Sequence, residues 1–298
     1  IWDAQDLAAL AKKVNEGADF EGYTITLMAD IDLDDGFGTR WIPIGETKLA
    51  TAGASANMKE FNGVFDGNGH TISGMKVEGS YHWAGLFGIM NARTAAIRNL
   101  TVEGSMELYQ TGDTYAGGLL GGAWNYVDSI ENCLADVDIT VHSTNGAEVL
   151  YVGGLAGRSG GQELDIVNSG AAGRIVLDNV PESPAEDILV SGVANSYRGY
   201  EATNVWTSVT LDDADNAVTA PISATTRAVT GNYVYYYAAE DVTSPLASGA
   251  DASGLTAYKL TADGALENTT LSFGKITLRN PSLLKALNGW VSAQEDGY

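Results

Sequence analysis

The chain has 298 residues, of which 45% are hydrophobic, so it is long enough to bury a large core. Its formal net charge of −22, from 16 Lys and Arg against 38 Asp and Glu, makes nucleic acid and anionic membrane surfaces poor candidate partners. A single cysteine, Cys133, excludes an internal disulfide framework and a multi-cysteine metal site. No apolar run reaches the roughly 18 residues of a membrane span, which predicts no membrane insertion.

The first predicted element is a capping helix over residues 1–17. Asp3 is the expected N-cap, and Asp6, three residues later, makes an approximate capping box. Gly17 is expected to end the helix. The apolar residues that fall on one helical face are Leu7, Leu10, Ala11 and Val14. Such a helix is suited to covering the open end of a stack of strands.

The next segment, 23–33, is typical of a strand and carries alternating acidic residues. Ile31 and Leu33 are expected to point inward, and Asp30, Asp32 and Asp34 outward. An EF-hand loop that starts at Asp30 needs Gly at its sixth position and Glu at its twelfth, but the chain has Asp and Trp there. A loosely bound Ca²⁺ remains an alternative, because three carboxylates share one side of the strand. Residues 44–61 are predicted to be a loop.

The stretch "GVFDGNGHTISGM" at 63–75 places Asp66 near His70. One interpretation is an acid/base pair of the kind that hydrolases and lyases use. The other is a tight turn formed by Asp66, Gly67, Asn68 and Gly69, after which His70 starts a strand. We favour the turn, because it accounts for every residue in the stretch.

Internal repeats cover residues 63–211. "AGLFG" at 84–88 returns as "AGGLLG" at 116–121, "VGGLAG" at 152–157 and "VSGVAN" at 190–195. We expect this Gly-Leu-x-Gly element to be a short strand bounded by glycines. Each copy is followed by a segment that contains an asparagine and then an alternating strand pattern. Short strands that repeat at a fixed period, without helices between them, predict a β-solenoid.

The repeated asparagines are spaced like the units of a stack. Asn99, Asn132, Asn168 and Asn204 are separated by 33, 36 and 36 residues. Asparagine tolerates the left-handed backbone conformation that a sharp corner needs. We therefore expect the four side chains to form a ladder, with each amide bonding to the next.

Other chemical motifs are better explained by structure than by catalysis. Ser159 fits the G-x-S-x-G pattern, but that nucleophile elbow requires a helix after the turn, and no helical pattern follows. Cys133 follows a ladder asparagine and is expected to point into the core. The three histidines, His70, His82 and His142, do not form an HExxH motif, so no zinc site is predicted. We predict no catalytic residue and no cofactor.

Large aromatic residues lie beside the repeat boundaries. If they face outward, successive coils about 4.8 Å apart would align them as a platform for sugar rings or a partner protein. The alternative is that Trp83 and Trp124 brace loops or cover the core. The candidate ligand-binding residues are Tyr81, Trp83, Trp124, Tyr126, Tyr197, Tyr200 and Trp206.

Beyond the clear repeats, residues 213–275 are predicted to form irregular coils, and "NPSLLKALNGWV" over 280–291 has a helical pattern. No change in composition marks a second domain. We therefore expect residues 1–298 to form a single β-solenoid domain.

In combination, the Gly-Leu-x-Gly repeats, "ADIDLDD", "WIPIG", "FNGVFDGNGHTI" and "LLKALNGWV" resemble bacterial proteins that carry the GLUG motif. The resemblance covers about residues 3–291, although "VSGVAN" lacks the final glycine and 213–275 match poorly. It implies an all-β, right-handed parallel β-helix that is secreted or displayed on the cell surface as part of a longer multidomain chain. It transfers no catalytic residue.

These features predict a non-catalytic, adhesin-like surface module that binds a host surface protein or a glycan. A carbohydrate-active enzyme, either a polysaccharide lyase or a glycoside hydrolase of pectin-lyase-like architecture, is the first alternative. It would need several polar catalytic groups that converge in one groove. A structural stalk within a larger surface protein is the second alternative, and it needs no ligand.

Overall fold

The computed structural model describes residues 1–34, 40–45, 58–143, 148–160, 164–181, 187–212, 215–238 and 242–260, and the backbone of 272–273 and 276–277. Within these residues the chain is a parallel β-solenoid of about five coils, with a single helix at its N-terminal end. The predicted all-β solenoid with a capping helix is confirmed. The helix predicted over 280–291 lies outside the described residues.

The helix α1 spans Ala4–Asn15. Asp3 caps it as expected, because its carboxylate accepts hydrogen bonds from the backbone N–H groups of Gln5 and Asp6, each at 2.9 Å. The Asp6 carboxylate in turn accepts from the N–H of Trp2 at 2.9 Å, one residue before the cap. The N-terminal N–H groups of the helix are thereby partly satisfied.

The apolar face of α1 covers the open end of the solenoid. Its side chains belong to the same hydrophobic cluster as Leu27 and Ile31 of the first coil. The buried residues of α1 are the ones predicted from the sequence, namely Leu7, Leu10, Ala11 and Val14. Gly17 follows with a φ of 112°, a left-handed conformation that ends the helix.

The strands are short and follow one another around each coil. In the N-terminal half they are β1 (Thr24–Thr26), β2 (Ile31–Asp32), β3 (Val64–Asp66), β4 (Thr71–Gly79), β5 (Trp83–Ala84), β6 (Phe87–Met90), β7 (Ala96–Arg98), β8 (Thr101–Gln110), β9 (Thr114–Gly117), β10 (Leu120–Ala123), β11 (Ser129–Glu131), β12 (Leu134–Ser143), β13 (Leu150–Gly153) and β14 (Ala156–Ser159). In the C-terminal half they are β15 (Asp165–Val167), β16 (Gly170–Ala172), β17 (Arg174–Asp178), β18 (Ile188–Ser191), β19 (Ala194–Ser196), β20 (Tyr200–Thr203), β21 (Trp206–Thr207), β22 (Thr210–Asp212), β23 (Val218–Ala220), β24 (Val229–Tyr237), β25 (Leu255–Leu260), β26 (Ser272–Phe273) and β27 (Ile276–Thr277).

Equivalent strands of successive coils pair in parallel and form three long sheets. Sheet 1 has 16 strands in two columns that meet at a corner, for example β7-β11-β15 on one side and β8-β12-β16 on the other. Sheet 2 has the order β6-β10-β14-β19, and sheet 3 has the order β5-β9-β13-β18-β23. The core lies between these sheets and consists mainly of aliphatic residues.

The Gly-Leu-x-Gly element is a corner and not the short strand expected from the sequence. In its first copy, β5 ends at Ala84 and β6 begins at Phe87, so the glycine and leucine between them turn the chain from sheet 3 into sheet 2. An ideal Cβ on Gly85 would lie 2.5 Å from a backbone oxygen of the next coil, which explains the glycine. The hydrophobic residue of each copy is fully buried: Leu86, Leu119, Leu155 and Val193.

The asparagine ladder forms at the corner of sheet 1 as predicted. Each amide nitrogen donates to the amide oxygen of the preceding coil: Asn132 to Asn99 at 2.9 Å, Asn168 to Asn132 at 3.1 Å and Asn204 to Asn168 at 2.9 Å. All four have left-handed backbones, with φ between 49° and 55°. At the following corner Tyr233 takes this conformation, with a φ of 58°, and the amide series stops.

The described part of 213–275 continues the parallel stack. β23 pairs with β18, and β24 is long enough to pair with both β20 and β21, on the two sides of the corner. The pairing of β24 with β25 shifts register between Gly231 and Val234. β26 and β27 pair antiparallel, outside the solenoid pattern. In the described residues no helix is both long enough and apolar enough to cross a membrane.

Candidate ligand-binding site

Asp66 terminates the asparagine ladder and is not paired with His70. Its carboxylate accepts from the Asn99 amide at 3.0 Å, the Asn68 N–H at 2.9 Å and the Arg98 guanidinium at 3.0 Å. Partial burial raises the pKa of this carboxyl. The hydrogen bonds and the Arg98 charge together lower it by more than burial raises it, so the pKa lies below the ordinary value. His70 instead contacts Asp30, with Nδ1 and Oδ1 3.0 Å apart. The stretch is therefore a structural turn.

The acidic strand has the predicted orientation, and its carboxylates have protein partners. Asp30 also accepts from the Thr71 N–H at 3.0 Å, and Asp34 forms an ion pair with Lys76. The Asp32 carboxylate accepts from the backbone N–H of Asp34 at 2.9 Å. Among the described residues no group of three or more His, Cys, Asp or Glu side chains is arranged to hold a metal ion.

Ser159 and Cys133 are both buried. The Ser159 hydroxyl lies on β14 and donates to the Ser196 hydroxyl at 2.7 Å, and no helix follows it in the part of the chain that the structure describes. Burial raises the pKa of the Cys133 thiol to about 12, and Sγ donates to the Glu131 carbonyl at 3.2 Å. A neutral, enclosed thiol is a poor nucleophile.

The predicted aromatic platform is only partly on the surface. Trp83 is 0% exposed and Tyr200 is 2% exposed, so neither ring can receive a ligand directly. Tyr81 is also buried, at 9%. Of the two interpretations offered by the sequence, the solvent-facing platform does not hold for these three rings, because the chain packs around them. Trp124, Tyr126 and Trp206 are half-buried, and Tyr197 is 54% exposed.

The indole rings of Trp83 and Trp206 each pack against a glycine of a neighbouring strand. Trp83 lies over Gly122 of β10, where a Cβ would be 2.2 Å from its ring. Trp206 lies over Gly170 in the same way, with a Cβ 2.0 Å from its ring. Trp206 is also in register with Tyr235, and this pairing makes a second aromatic group on the outside of sheet 1.

A column of aromatic rings runs along the outside of sheet 3. Trp83, Tyr115 and Tyr151 occupy equivalent positions on β5, β9 and β13, so parallel register places them side by side. Trp83 and Tyr115 stack with centroids 4.4 Å apart, and Tyr115 meets Tyr151 edge to face at 5.5 Å. Leu189 and Val218 extend the column on β18 and β23.

Arg158 of β14 joins this column to the adjacent loops. Its guanidinium carbon lies 5.1 Å from the ring centroid of Tyr115, 5.3 Å from that of Trp124 and 5.2 Å from that of Tyr197. We call Arg158, these three rings and the underlying Trp83 the Arg158 cluster. Burial raises the pKa of Tyr115 to about 12, although the Arg158 charge opposes the shift.

The Arg158 cluster contains two buried hydrogen-bond donors that lack an acceptor. Both Arg158 Nε and Trp83 Nε1 are enclosed and have no partner among the described residues. Leaving such a group unsatisfied costs about 1–3 kcal/mol, and native proteins contain few of them. Donors of this kind are usually satisfied by an ordered water or by a bound ligand.

A cleft of about 330 Å³ adjoins the cluster. We call it the Tyr197 cleft, because Tyr197 both lines it and contacts Arg158. Tyr151 and Leu189 of the sheet 3 column form its apolar wall, and Thr225 and Arg227 are on its polar side. Its volume falls within the range of about 300–1,000 Å³ that is usual for small-molecule sites.

His82 lies at the opposite end of the cluster from the cleft residues of sheet 3. Its ring meets Trp83 and Tyr115 edge to face, at 5.0 and 5.2 Å. Its Nδ1 donates to the Asp113 carbonyl at 2.6 Å, and burial lowers the pKa of the imidazole, which favours the neutral form. Asp113 lies near this end, where its carboxylate accepts from the Val149 N–H at 3.1 Å.

Sequence reasoning missed Tyr115, Tyr151 and Arg158. A signal for the two tyrosines is present, because an aromatic residue stands directly before the first residue of the Gly-Leu-x-Gly element in three repeats: Trp83, Tyr115 and Tyr151. Equal positions in a repeat become neighbours in a parallel stack. Arg158 has no such signal, since its contacts come from three different strands and loops.

No family model and no curated protein matches the chain. Among solved structures it is similar to the crystal structure, at 1.30 Å resolution, of a protein described as a putative immunoglobulin A1 protease from Bacteroides ovatus. The two chains are 16% identical with a TM-score of 0.48, and the match covers 93% of this chain and 81% of the other. A similarity at this level carries no argument about function. The resemblance to GLUG-motif proteins therefore remains a prediction.

Proposed function

We propose that the chain is a non-catalytic binding module of a bacterial surface protein and that it binds a glycan in the Tyr197 cleft. The single observation that carries the proposal is a cleft of about 330 Å³ that is lined by two aromatic rings, the half-buried Tyr151 and the exposed Tyr197. Aromatic side chains such as Tyr151 and Tyr197 pair an apolar ring with a polar hydroxyl, which suits the mixed surface of a sugar.

The described side chains that line the cleft include no carboxylate. Among the described residues that line it, Arg227 carries the only charge, whereas glycoside hydrolysis needs two convergent carboxylates. The acid/base candidate Asp66 is engaged at the ladder corner, and Ser159 is enclosed. These arrangements favour retention of a ligand over its cleavage.

A glycan fits this site better than a host surface protein does. A stable protein interface buries about 800 Å² on each partner and is usually extended. The Tyr197 cleft is concave and has the size of a small-molecule site. A host surface protein, the other partner predicted from the sequence, is an outcome that the experiment distinguishes.

The test is a glycan array that records both retention of the purified chain and release of reducing sugars, with and without Ca²⁺. We expect retention without release. Tyr197→Ala should weaken retention several-fold, since this ring is exposed and its removal leaves the core intact. The matched control is Tyr23→Ala, which removes a tyrosine that is 67% exposed in the first coil and should change nothing.

Release of sugars by the wild-type chain would contradict the proposal and support the enzyme alternative. An equal loss of retention in the Tyr197 and Tyr23 variants would show that the glycan does not bind specifically in the cleft.

A further inference from the structure

The Tyr197 cleft is surrounded by positive groups, although the chain as a whole is strongly negative. The net charge is −22, yet Arg227 is the only charged residue among the described residues that line the cleft. Arg158 does not line the cleft but lies behind it, with its guanidinium carbon 5.2 Å from the ring centroid of Tyr197, which does line the cleft.

Neither arginine is neutralised by a carboxylate in the described part of the chain. The ion pairs found there engage other cations, among them Arg40, Arg98 and Arg174. Arg158 is surrounded by rings, and its Nε has no acceptor. Among the described residues, no carboxylate forms an ion pair with either guanidinium group, although the chain as a whole is strongly acidic.

The two unsatisfied donors of the Arg158 cluster both require a hydrogen-bond acceptor. Arg158 Nε and Trp83 Nε1 both lack an oxygen acceptor among the described residues, and both belong to the Arg158 cluster, which meets the cleft at Tyr197. Guanidinium groups match the planar oxygen pairs of carboxylates and the oxygens of sulfate or phosphate esters. A neutral sugar hydroxyl is a weaker acceptor than any of these groups.

We propose that the Tyr197 cleft selects an acidic glycan, whose carboxylate or sulfate group is bound by Arg158 and Arg227 while its sugar rings lie against Tyr151 and Tyr197. This inference rests on the proposed function and adds the ligand class. Specificity arises from charge complementarity, because the acidic protein repels anions over the rest of its surface.

The experiment is an array of oligosaccharides in matched pairs that differ only in their anionic group. Hyaluronan and its carboxyl-reduced form test a carboxylate, and keratan sulfate and its desulfated form test a sulfate. A poly-glutamate peptide tests an acidic protein segment. We expect retention of at least one acidic member, no retention of its neutral partner, and a decrease in retention as salt is raised.

Two variants locate the anion. Arg227→Gln removes an exposed charge from the cleft, and Arg158→Met removes the guanidinium but keeps an apolar stem against the rings. Each should weaken retention of the acidic glycan about tenfold or more, the loss expected when a charge-assisted hydrogen bond is removed. Arg174→Gln is the matched control, because Arg174 is 55% exposed and paired with Asp212 on sheet 1.

Each other outcome overturns a defined part of the inference. Equal retention of acidic and neutral partners would overturn the acidic ligand class and leave glycan binding in place. Retention of no glycan at all would overturn both proposals. Retention of poly-glutamate as strong as that of any glycan would replace the glycan with an acidic peptide. Unchanged retention by both the Arg158 and the Arg227 variants would place the anion elsewhere.

Discussion

The asparagine ladder and the Arg158 cluster both run along the stack of coils, but they differ in how far their polar groups are satisfied. In the ladder, one residue type recurs in each coil, and every amide donates to the preceding coil until the series ends on the Asp66 carboxylate. In the cluster, the side chains differ in type and come from non-equivalent positions of successive coils, and Arg158 Nε and Trp83 Nε1 have no acceptor among the described residues.

We interpret this difference as one between a structural column and the proposed recognition surface. A ladder whose hydrogen bonds are complete stabilises the fold and offers nothing to a ligand. A cluster that retains unsatisfied donors costs folding free energy and can recover that cost when a ligand binds. Mutations in the two regions should therefore have opposite consequences for stability and binding.

The largest loss of stability is expected from a change in the hydrophobic core that lies behind both the ladder and the Arg158 cluster. Leu119 is 0% exposed, so Leu119→Asp would bury an unpaired charge and should destabilise the protein by about 4 kcal/mol or more, unfolding the middle coils. Circular dichroism and limited proteolysis would measure the loss. Leu119→Met, which conserves volume, should cost less than about 1.5 kcal/mol. A folded Leu119→Asp protein would show that this position is not part of an obligatory core.

The second-largest change is expected in the ladder, where a substitution should lower stability without affecting ligand binding. Asn132→Ala removes hydrogen bonds to Asn99 and Asn168 and places alanine at a φ of 52°, so we expect a loss of about 2–4 kcal/mol in the free energy of unfolding. Asn132→Gly should cost less, because glycine accepts that φ. Urea unfolding measures both.

The control for the ladder is Asn125→Ala, at an exposed asparagine outside it, which should change stability by about 0.5 kcal/mol or less. Glycan retention by the folded Asn132 variants should equal that of the wild type. A loss of glycan retention in the folded Asn132 variants, without such a loss in Asn125→Ala, would show that the ladder also contributes to binding.

The third effect depends on pH and tests the end of the ladder. The folded-state pKa of Asp66 lies below its reference value of 3.8, so its stabilising contribution is present above that pH and is lost as pH falls through the folded pKa. Asp66→Asn should be less stable than wild type at pH 7, and the gap should close as pH falls below about 4. Thermal unfolding between pH 7 and pH 2 measures this.

Asp136→Asn, at an exposed carboxylate on β12, is the control for the loss of one negative charge and should change stability at pH 7 by about 0.5 kcal/mol or less. A gap for Asp66→Asn that stays constant down to pH 2 would show that the charge of Asp66 does not stabilise the ladder.

The smallest effect on stability is expected in the Arg158 cluster. Arg158→Met loses cation–π contacts worth about 0.5–1 kcal/mol each but also removes a buried donor that costs about 1–3 kcal/mol. The two contributions oppose, so the net change should be within about 0.5 kcal/mol, or stabilising. A urea unfolding curve measures it. A loss of more than about 2 kcal/mol would make Arg158 a structural residue.

Much of the framework was predictable from local pattern. Asp3 and Gly17 mark the helix ends by general capping rules, and the alternation around Asp30 gives the correct faces of its strand. The asparagine spacing predicted the ladder, because a residue repeated at the coil period must meet its copies in a parallel stack. The Gly-Leu-x-Gly element was assigned to the wrong local structure, since a buried leucine between glycines fits a strand or a corner equally well.

The binding site was less predictable, because exposure depends on what covers each ring. Nothing local to Trp83 indicates that Gly122, in the next coil, makes room for the indole. Tyr200 is buried in a similarly non-local way, with its hydroxyl donating to the Ile222 carbonyl at 3.0 Å.

The sequence by itself determined the repeat, the capping helix, the ladder and the acidic character of the chain, because these depend on periodicity, local backbone preference and charge. Only the tertiary structure decided which aromatic residues reach the surface and that Arg158 meets Tyr115, Trp124 and Tyr197. The physical reason is that a parallel stack fixes the neighbours of equivalent positions, whereas side chains that meet across different strands and loops share no spacing in the chain.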